Sequence, residues 1–212
     1  MESWAVVVAG GTGSRFGGPK QFADLGGRPL ASWSLDVARQ ACDGVVLVVP
    51  ADASGGSWDA DAVVAGGSTR SQSVRAGLAA VPARAGVIAV HDAARPLARL
   101  ALWRAVLEAV QAGADGAIPA APVTDTVKEV GANGQLVTLD RTRLVAVQTP
   151  QAFRAAILRQ AHLSGADASD DAALVEAVGG RVVLVAGAAD NLKVTNPSDL
   201  VVITALAAVV PS

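Results

Sequence analysis

Hydrophobic and polar positions along the chain follow two alternating patterns. Short, nearly continuous apolar runs rich in valine are typical of strands that are buried on both faces. The longer segments between them carry apolar residues at helical spacing. Trp103, Val106, Leu107 and Val110 form one such stripe, which we expect to lie in the core. This alternation predicts an α/β fold, with a Rossmann-like, mostly parallel sheet and helices on both of its faces.

The bounds of these elements follow from the runs and from the glycines, prolines and polar residues that flank them. The predicted strands span Trp4–Ala9, Gly44–Val49, Ala62–Ala65, Gly86–Val90, Gly116–Pro119 and Arg181–Ala186. The predicted helices span Pro29–Ala41, Ser71–Ala80, Ala98–Gln111, Phe153–Leu163, Asp170–Val178 and Pro197–Val209. We expect the last helix to be buried, to open at Asn196, and to be too short an apolar run to cross a bilayer.

Residues 124–140 depart from this alternation. Asp125–Val130 and Gln135–Asp140 both alternate apolar and polar positions, and a glycine-containing turn separates them. The segment therefore predicts a protruding β-hairpin arm. A lone hairpin is only marginally stable in water, so we expect this one to pack against a second subunit. The rest of residues 1–212 is expected to form a single domain, because no linker or repeat divides it.

The first predicted strand runs into a loop with five glycines within nine residues, namely Gly10, Gly11, Gly13, Gly17 and Gly18. Glycines allow the backbone to approach a ligand closely and to turn its N–H groups toward an anion. Arg15 and Lys20 add two cations, so the loop suits nucleotide phosphates. It is neither a P-loop, since Pro19 stands where lysine belongs, nor a dinucleotide fingerprint, since Phe16 replaces the third glycine. A plain flexible connection is the alternative.

Composition narrows the class of protein. Hydrophobic residues make up 51% of the chain but aromatic residues only 3%, which predicts a core of Val, Leu and Ala. A net charge of −2 argues against a nucleic-acid partner. Cys42 is the only cysteine, which excludes an intrachain disulfide and a cysteine-rich metal site. The first residues lack the basic region of a signal peptide. These features favour a cytoplasmic protein without a membrane segment.

The choice of basic residue is uneven. Fourteen of the seventeen are arginine, and the only lysines are Lys20, Lys128 and Lys193. A compact ammonium group fits a crowded phosphate site where a planar guanidinium does not. The three lysines are therefore candidates for phosphate contacts, although chance could account for one of them.

A second set of polar residues is expected at the same edge of the sheet, because the carboxyl ends of parallel strands meet there. Asp92 follows a predicted strand and could hold Mg²⁺ against triphosphate oxygens. Alternatively, it caps the next helix. Arg95 could bind a second anion or pair with Asp92. His91 is expected to be a packed or hydrogen-bonded residue and not a catalyst.

Two further segments bring polar groups to this edge. The turn Gly66–Val74 precedes a helix, and its backbone N–H groups and Ser73 could contact a base or ribose. An ordinary helix start with a Ser or Thr cap is the alternative interpretation. Lys193 follows the last predicted strand and adds another cation.

Seven motifs occur in order along the chain: GGTGSRFGGPKQF, GGSTRSQSV, VHDAARP, DTVK, QTPQAF, SDDA and NLKVT. Together they resemble the 2-C-methyl-D-erythritol 4-phosphate cytidylyltransferases of the non-mevalonate isoprenoid pathway, over essentially the whole chain. The resemblance implies that CTP and methylerythritol phosphate give CDP-methylerythritol and pyrophosphate, with Mg²⁺ or another divalent cation. It also implies a homodimer in which the arm helps to build a shared active site.

The same resemblance implies a role for each matching residue. The catalytic residues would be Arg15, Lys20 and Lys193, and the metal ligand Asp92. The nucleotide would be bound by Ala9, Gly10, Gly11, Gly13, Gly67, Ser68 and Ser73. The sugar phosphate or the reacting phosphates would contact Arg95, Thr126, Arg141, Thr149 and Ser169. Gly10 stands where many members have alanine and Ser169 where many have threonine, and both changes are mild.

Three other functions share some of these sequence features. A cytidylyltransferase for another polyol phosphate, such as ribitol 5-phosphate, would share the loop and differ in the acceptor contacts. A dinucleotide-dependent oxidoreductase is disfavoured by Phe16. A catalytically idle sugar-nucleotide-binding regulator is disfavoured by the presence of Lys20, Asp92 and Lys193. Phosphate itself is a competent nucleophile, so the favoured reaction needs no general base.

Overall fold

A computed structural model of the chain describes residues 1–11, 13, 15–54 and 56–209. The strands of the described residues are β1 (Ser3–Val8), β2 (Gly44–Val49), β3 (Ala62–Ala65), β4 (Val87–Asp92), β5 (Gly116–Pro122), β6 (Lys128–Val130), β7 (Leu136–Thr138), β8 (Val145–Val147), β9 (Gln151–Arg154) and β10 (Val182–Ala186). The α-helices are α1 (Leu30–Ala41), α2 (Arg70–Ala80), α3 (Leu100–Gln111), α4 (Ala155–His162), α5 (Asp171–Ala177) and α6 (Pro197–Ala207).

The main sheet is mixed but mostly parallel, as the sequence predicts. Its strand order is β10-β5-β9-β4-β1-β2-β3, and β8 pairs with β5 beside this path. The strands β1, β2, β3 and β4 are parallel to their neighbours in this group, and β10 is parallel to β5. β9 lies antiparallel between β4 and β5, and β8 is antiparallel to β5. The antiparallel strands β8 and β9 were not predicted.

Helices cover both faces of the sheet, and this confirms the predicted fold class. Successive β1 residues point to opposite faces, since Val7 joins one buried cluster and Val6 the other. The first cluster includes Leu35 of α1 and the fully buried Trp103 of α3. The second cluster is formed with α2, α4 and α5 and includes Phe153. The stripe predicted on α3 is therefore core.

Helix α2 lies unusually close to the sheet at Gly77. A Cβ atom at this position would stand 2.4 Å from Val6 Cγ1 and 3.0 Å from Val48 Cγ2. Gly77 is thus a point of backbone contact between α2 and two parallel strands. This contact seats α2 on β1 and β2, and the helix also packs against β3, so the polar turn before α2 is held at the same edge of the sheet.

The helix predicted over Phe153–Leu163 begins later. Residues up to Arg154 belong to β9, with Phe153 paired to Ile88, and the helix starts at Ala155. Here a short strand with three consecutive buried residues runs directly into a helix, without a turn signal between them. The sequence pattern alone could not separate the two.

Helix α6 opens at Asn196 with a capping box completed by Asp199, and Pro197 lies in its first turn, as predicted. The expected burial is wrong. Ile203 is fully buried, whereas Val201 and Val202 are exposed to 72% and 48%. No helix in the described part of the chain is both long enough and apolar enough to cross a membrane.

The arm forms a two-stranded antiparallel sheet of β6 and β7, separate from the main sheet. Its paired strands are shorter than the predicted alternating segments. Val130, Leu136 and Val137 are exposed, and every residue of β6 and β7 is exposed. The hairpin therefore presents apolar side chains that the described residues of its own chain leave uncovered.

Candidate functional site

A cavity of about 370 Å³ opens at the carboxyl ends of β1, β3 and β4. The glycine-rich loop forms one wall and the start of α2 the opposite wall. The predicted nucleotide contacts that line it are Ala9, Gly10, Gly11, Gly67, Ser68 and Ser73. The predicted charged residues that line it are Arg15, Lys20, Asp92 and Lys193. Separate segments of the chain thus converge where the sequence places a phosphate site.

The loop is closed by the carbonyl group of Gly13. Its oxygen accepts hydrogen bonds from the backbone N–H groups of Phe16, Gly17 and Gly18. Gly13 has a φ of 67°, and a Cβ there would stand 1.7 Å from the Gly18 carbonyl oxygen. Gly13 therefore shapes the loop, and it is not among the residues that line the cavity in the described part of the chain. Thr12 and Ser14 of the same motif lie outside the described residues.

The second turn combines the two interpretations that the sequence left open. Thr69 caps α2, because its side chain accepts a hydrogen bond from the Gln72 N–H group. The Ser73 hydroxyl accepts from the Gly67 N–H group at 3.2 Å and donates to the Thr69 carbonyl at 3.0 Å. Ser73 therefore holds the turn in shape and also lines the cavity. A Cβ at Gly10 would stand 3.2 Å from Ser73 Oγ, so the two walls nearly touch here.

Asp92 is the point at which the charges of the cavity meet. Its Oδ2 accepts from Lys193 Nζ at 2.6 Å, and its Oδ1 accepts from Arg70 Nε at 3.1 Å. Burial opposes ionisation of Asp92, but the charges of Arg70 and Lys193 outweigh it and hold the pKa well below its usual range. The carboxylate is therefore ionised near neutral pH. The suggested helix cap at Asp92 is wrong, because α3 begins only at Leu100.

Lys20 enters the cavity from a short 3₁₀ turn at the end of the loop. Its Nζ donates to the Val194 carbonyl at 2.7 Å, which ties the loop to the segment that carries Lys193. Burial, with Lys193 and Arg15 nearby, lowers the pKa of Lys20. Arg15 is exposed at the mouth of the cavity. This excess of cations suits a polyanionic ligand such as a triphosphate.

A second cavity, of about 230 Å³, adjoins the first and shares Arg70, Asp92 and Lys193 with it. Three predicted acceptor contacts, Arg95, Thr149 and Ser169, line this second cavity. Arg95 does not pair with Asp92. Its guanidinium donates to the carbonyl groups of Asn191 and Val147, and burial lowers its pKa. The two cavities meet at Asp92, as two substrates that react with each other require.

Thr149 positions the end of β4. Its hydroxyl accepts from the Asp92 N–H group at 3.0 Å and lies 3.1 Å from His91 Nδ1. His91 is fully buried, and burial lowers its pKa to about 4, so the ring is neutral near pH 7. The predicted structural role of His91 is confirmed. Most of the hydrogen-bonding capacity of Thr149 is used inside the protein, beside the cavity that it lines.

Sequence reasoning missed the residues that support this site. Arg70 belongs to the GGSTRSQSV motif, whose sequence alone indicates no role for it, although it contacts Asp92 and lines both cavities. The fully buried Asn191 donates to Gln148 Oε1 and to the Thr149 carbonyl, and so fixes the segment before Lys193. The only sequence signal for such supporting residues is that they are polar and lie close to predicted strand ends. The residues to which they hydrogen-bond are distant in sequence, so these contacts could not be inferred from spacing.

Two predicted substrate contacts lie elsewhere. Thr126 and Arg141 are exposed at the base of the arm, and neither lines the two cavities within the described residues. Arg141 donates to the Thr124 carbonyl across the base of the hairpin. Lys128, a candidate phosphate contact, lies on the arm and donates to Thr138. Of the three lysines, Lys20 and Lys193 reach the site.

The donor set fits one kind of metal site. Asp92 is the only carboxylate that lines the first cavity, and the described residues hold no group of three or more His, Cys, Asp or Glu side chains suited to a metal. Mg²⁺ commonly binds one or two carboxylates while substrate phosphates and water supply its other ligands. Asp92 therefore fits a divalent cation that arrives with a nucleotide, and does not fit a permanently bound metal.

Known proteins match this chain over nearly its whole length. The family model described as IspD, 2-C-methyl-D-erythritol 4-phosphate cytidylyltransferase, matches residues 3–208. The 2-C-methyl-D-erythritol 4-phosphate cytidylyltransferase of Streptomyces coelicolor is 43% identical over 96% of this chain and 84% of its own length. The bifunctional enzyme IspD/IspF of Solidesulfovibrio magneticus is 41% identical over 94% of this chain, which spans only 56% of that longer protein.

The fold matches as well as the sequence. The crystal structure of 2-C-methyl-D-erythritol 4-phosphate cytidylyltransferase from Thermus thermophilus superposes with a TM-score of 0.86 and 38% identity. The match covers 99% of this chain and 100% of that one. A similar sequence and the same fold therefore extend together across the glycine-rich loop, the two cavities and the arm.

Proposed function

The chain belongs to the 2-C-methyl-D-erythritol 4-phosphate cytidylyltransferase family, and from that premise we propose that it catalyses the family's reaction. A phosphate oxygen of 2-C-methyl-D-erythritol 4-phosphate attacks the α-phosphorus of CTP. The bond from that phosphorus to the β-phosphate oxygen breaks, and pyrophosphate leaves. The products are CDP-methylerythritol and pyrophosphate.

One observation carries the proposal: two adjoining cavities share Asp92, Arg70 and Lys193. The first cavity, walled by the glycine-rich loop and the start of α2, would hold CTP. The second, lined by Arg95, Thr149 and Ser169, would hold the acceptor phosphate. Their junction would bring the acceptor oxygen to the α-phosphorus, and alignment of this kind supplies much of the catalysis in phosphoryl transfer.

The basic residues have distinct roles in this proposal. Lys20 and Arg15 would bind the triphosphate and stabilise the charge that grows on the leaving pyrophosphate. Lys193 would neutralise the phosphates at the junction of the cavities. His91 is buried and neutral, so it takes no part in proton transfer. A phosphate dianion needs no base to become a nucleophile.

Asp92 would hold Mg²⁺, or another divalent cation, against the phosphates of CTP. When bound, the cation would neutralise phosphate charge and help to orient the α-phosphate. Lys193 Nζ donates a hydrogen bond to Asp92 Oδ2. For the cation to bind that oxygen, the ammonium group must shift toward a substrate phosphate. The anionic substrates provide the attraction for this shift.

The proposal includes a homodimer with shared active sites. The exposed apolar residues of the arm support an intersubunit contact, because a two-stranded hairpin is marginal on its own. Thr126 and Arg141 at its base would then contact the acceptor in the partner's site. A cytoplasmic location is also proposed, which suits an enzyme that uses CTP and has one free cysteine.

A pyrophosphate-release assay tests the function. We expect release only when CTP, methylerythritol phosphate and a divalent cation are all present. ATP, GTP and UTP serve as alternative nucleotides, ribitol 5-phosphate as the alternative acceptor, and EDTA removes the cation. Equal or better turnover with ribitol 5-phosphate would reassign the acceptor. Full activity in EDTA would remove the cation from the proposal.

A further inference from the structure

Four side chains form a continuous line from the interior to the site. His162 Nε2 lies 3.0 Å from Asp171 Oδ1, and Asp171 Oδ2 accepts from Arg70 Nη1 at 2.8 Å. Arg70 Nε in turn donates to Asp92 Oδ1 at 3.1 Å. The line joins α4, the first residue of α5, the first residue of α2 and the end of β4. Its inner half plays no part in the proposed reaction.

This inner half is costly to bury. The side chains of His162 and Asp171 are exposed to only 3% and 1%. A buried carboxylate destabilises a protein unless charged or hydrogen-bonding partners compensate it. Each oxygen of Asp171 has one such partner, His162 on one side and Arg70 on the other. An apolar side chain at position 171 would pack as well at a lower energetic cost. The presence of a carboxylate there therefore requires another explanation.

The explanation lies in how the N–H donors of the Arg70 guanidinium are shared between Asp171 and Asp92. Arginine and a carboxylate prefer a bidentate pair, with two parallel N–H donors on the two oxygens. Arg70 instead gives Nη1 to Asp171 and only Nε to Asp92. Asp92 Oδ2 is therefore left to Lys193. Burial works against the charge of Arg70, but Asp171 and Asp92 outweigh it and raise its pKa, so the guanidinium stays charged in both contacts.

We propose that Asp171, oriented by His162, is a positioning residue that restrains Arg70 to a single oxygen of Asp92. This restraint keeps Asp92 Oδ2 free for exchange between Lys193 and the nucleotide-bound cation. Without the Asp171 charge, Arg70 turns its fork onto both oxygens of Asp92 and competes with the cation. The inference rests on the proposed role of Asp92 as the metal ligand.

Equilibrium binding of CTP with and without Mn²⁺ tests this, because no transfer occurs without the acceptor. The measured quantity is the factor by which Mn²⁺ raises the affinity for CTP. Calorimetry measures the affinity, and the spin-resonance signal reports the bound Mn²⁺. In Asp171→Asn we expect this factor to fall about tenfold, as for other groups that orient a metal ligand. His162→Phe, which removes only the orienting donor, should lower it by a smaller factor than Asp171→Asn does.

Asp167→Asn is the matched control. Asp167 also joins the segment before α5 to α2, but its contacts are with Thr69 and Arg75 instead of Arg70. Its Mn²⁺ factor should equal that of the unaltered protein. A merely structural role of Asp171 would lower the unfolding temperature and leave the factor unchanged in the folded fraction, and that result would overturn the inference.

The variant Arg70→Gln gives a second, independent measurement. If Asp171 acts only by restraining Arg70, adding Asp171→Asn to Arg70→Gln should leave the Mn²⁺ factor unchanged. This double variant removes both charges of the buried pair together, so it tests the inference even if Asp171→Asn alone does not fold. A further tenfold fall in the double variant would refute it. A normal factor in Asp92→Asn would instead show that the proposed metal role has failed.

Discussion

Lys20 and Lys193 are the two lysines that line the first cavity. Both are ammonium groups held at hydrogen-bond distance from an oxygen, and both stand in a cavity with few anions. Their position at this edge follows from the sequence, because each follows a strand or its glycine-rich loop. Their partners do not follow from it, since Val194 and Asp92 are brought close only by the folded sheet.

At this scale we expect Lys20→Ala to lower kcat more than it raises the KM for CTP. Loss of one donor to transition-state charge costs about 3 kcal/mol, or about a hundredfold in rate. Lys20→Arg should also be poor, because the larger planar group cannot occupy the space beside Val194 and Lys193. Steady-state kinetics measures both effects.

Arg84→Ala is the control for this experiment, since Arg84 is exposed and pairs with Glu2 away from both cavities. Its kinetic constants should be unchanged. Near-normal kcat in Lys20→Arg would show that any cation suffices at this position, and that the scarcity of lysine in the chain has no functional meaning.

Among the elements, those with a clear hydrophobic pattern were predicted, and two short strands without such a pattern were not. The helix α3 and the strands β1, β2 and β3 follow directly from periodicity and apolar runs. The strands β8 and β9 have three and four residues and carry no pattern of their own. They form because β4 and β5 offer free edges, which is a property of the assembled sheet.

The contact between α2 and the sheet leads to a prediction at this scale. Gly77→Ala should lower the free energy of unfolding by about 1–3 kcal/mol, because the new methyl group overlaps Val6. Alanine favours a helix over glycine by about 1 kcal/mol, so a rise in stability would be expected if the helix alone mattered. Urea unfolding of the variant shows whether its free energy of unfolding falls or rises.

The double variant Gly77→Ala with Val6→Ala checks the cause. Val6→Ala removes the side-chain carbon that the new methyl group meets. The combined loss of stability should therefore be smaller than the sum of the two single losses. Strict additivity would mean that Gly77 acts through something other than this contact.

For the whole molecule, the central prediction concerns the shared site of the proposed dimer. Mixing inactive Lys20→Ala and Arg141→Ala chains should restore activity to roughly a quarter of the unaltered level. With random exchange half of the dimers are mixed, and each mixed dimer has one site without a mutation. Subunit exchange is followed with differently tagged chains.

If Lys20 and Arg141 served the same chain's site, every site in every dimer would carry a defect. No recovery despite complete exchange would therefore refute the shared site, and a monomer in solution would do so earlier. The sequence alone predicts the arm and its need for a partner. It cannot give the geometry of the contact, because the surface that receives the arm has no local pattern.

The tie between Lys20 and the Val194 carbonyl also orders events during synthesis. The two groups are separated by 174 residues, and the contacts of Asp92 with Lys193 and of Arg70 with Asp171 each span 101. At ordinary translation rates, the loop lysine emerges on the order of ten to thirty seconds before its partner. A nascent chain can thus pair β1 with β2 well before it can bind a nucleotide. The binding site is therefore among the last parts of the protein to form.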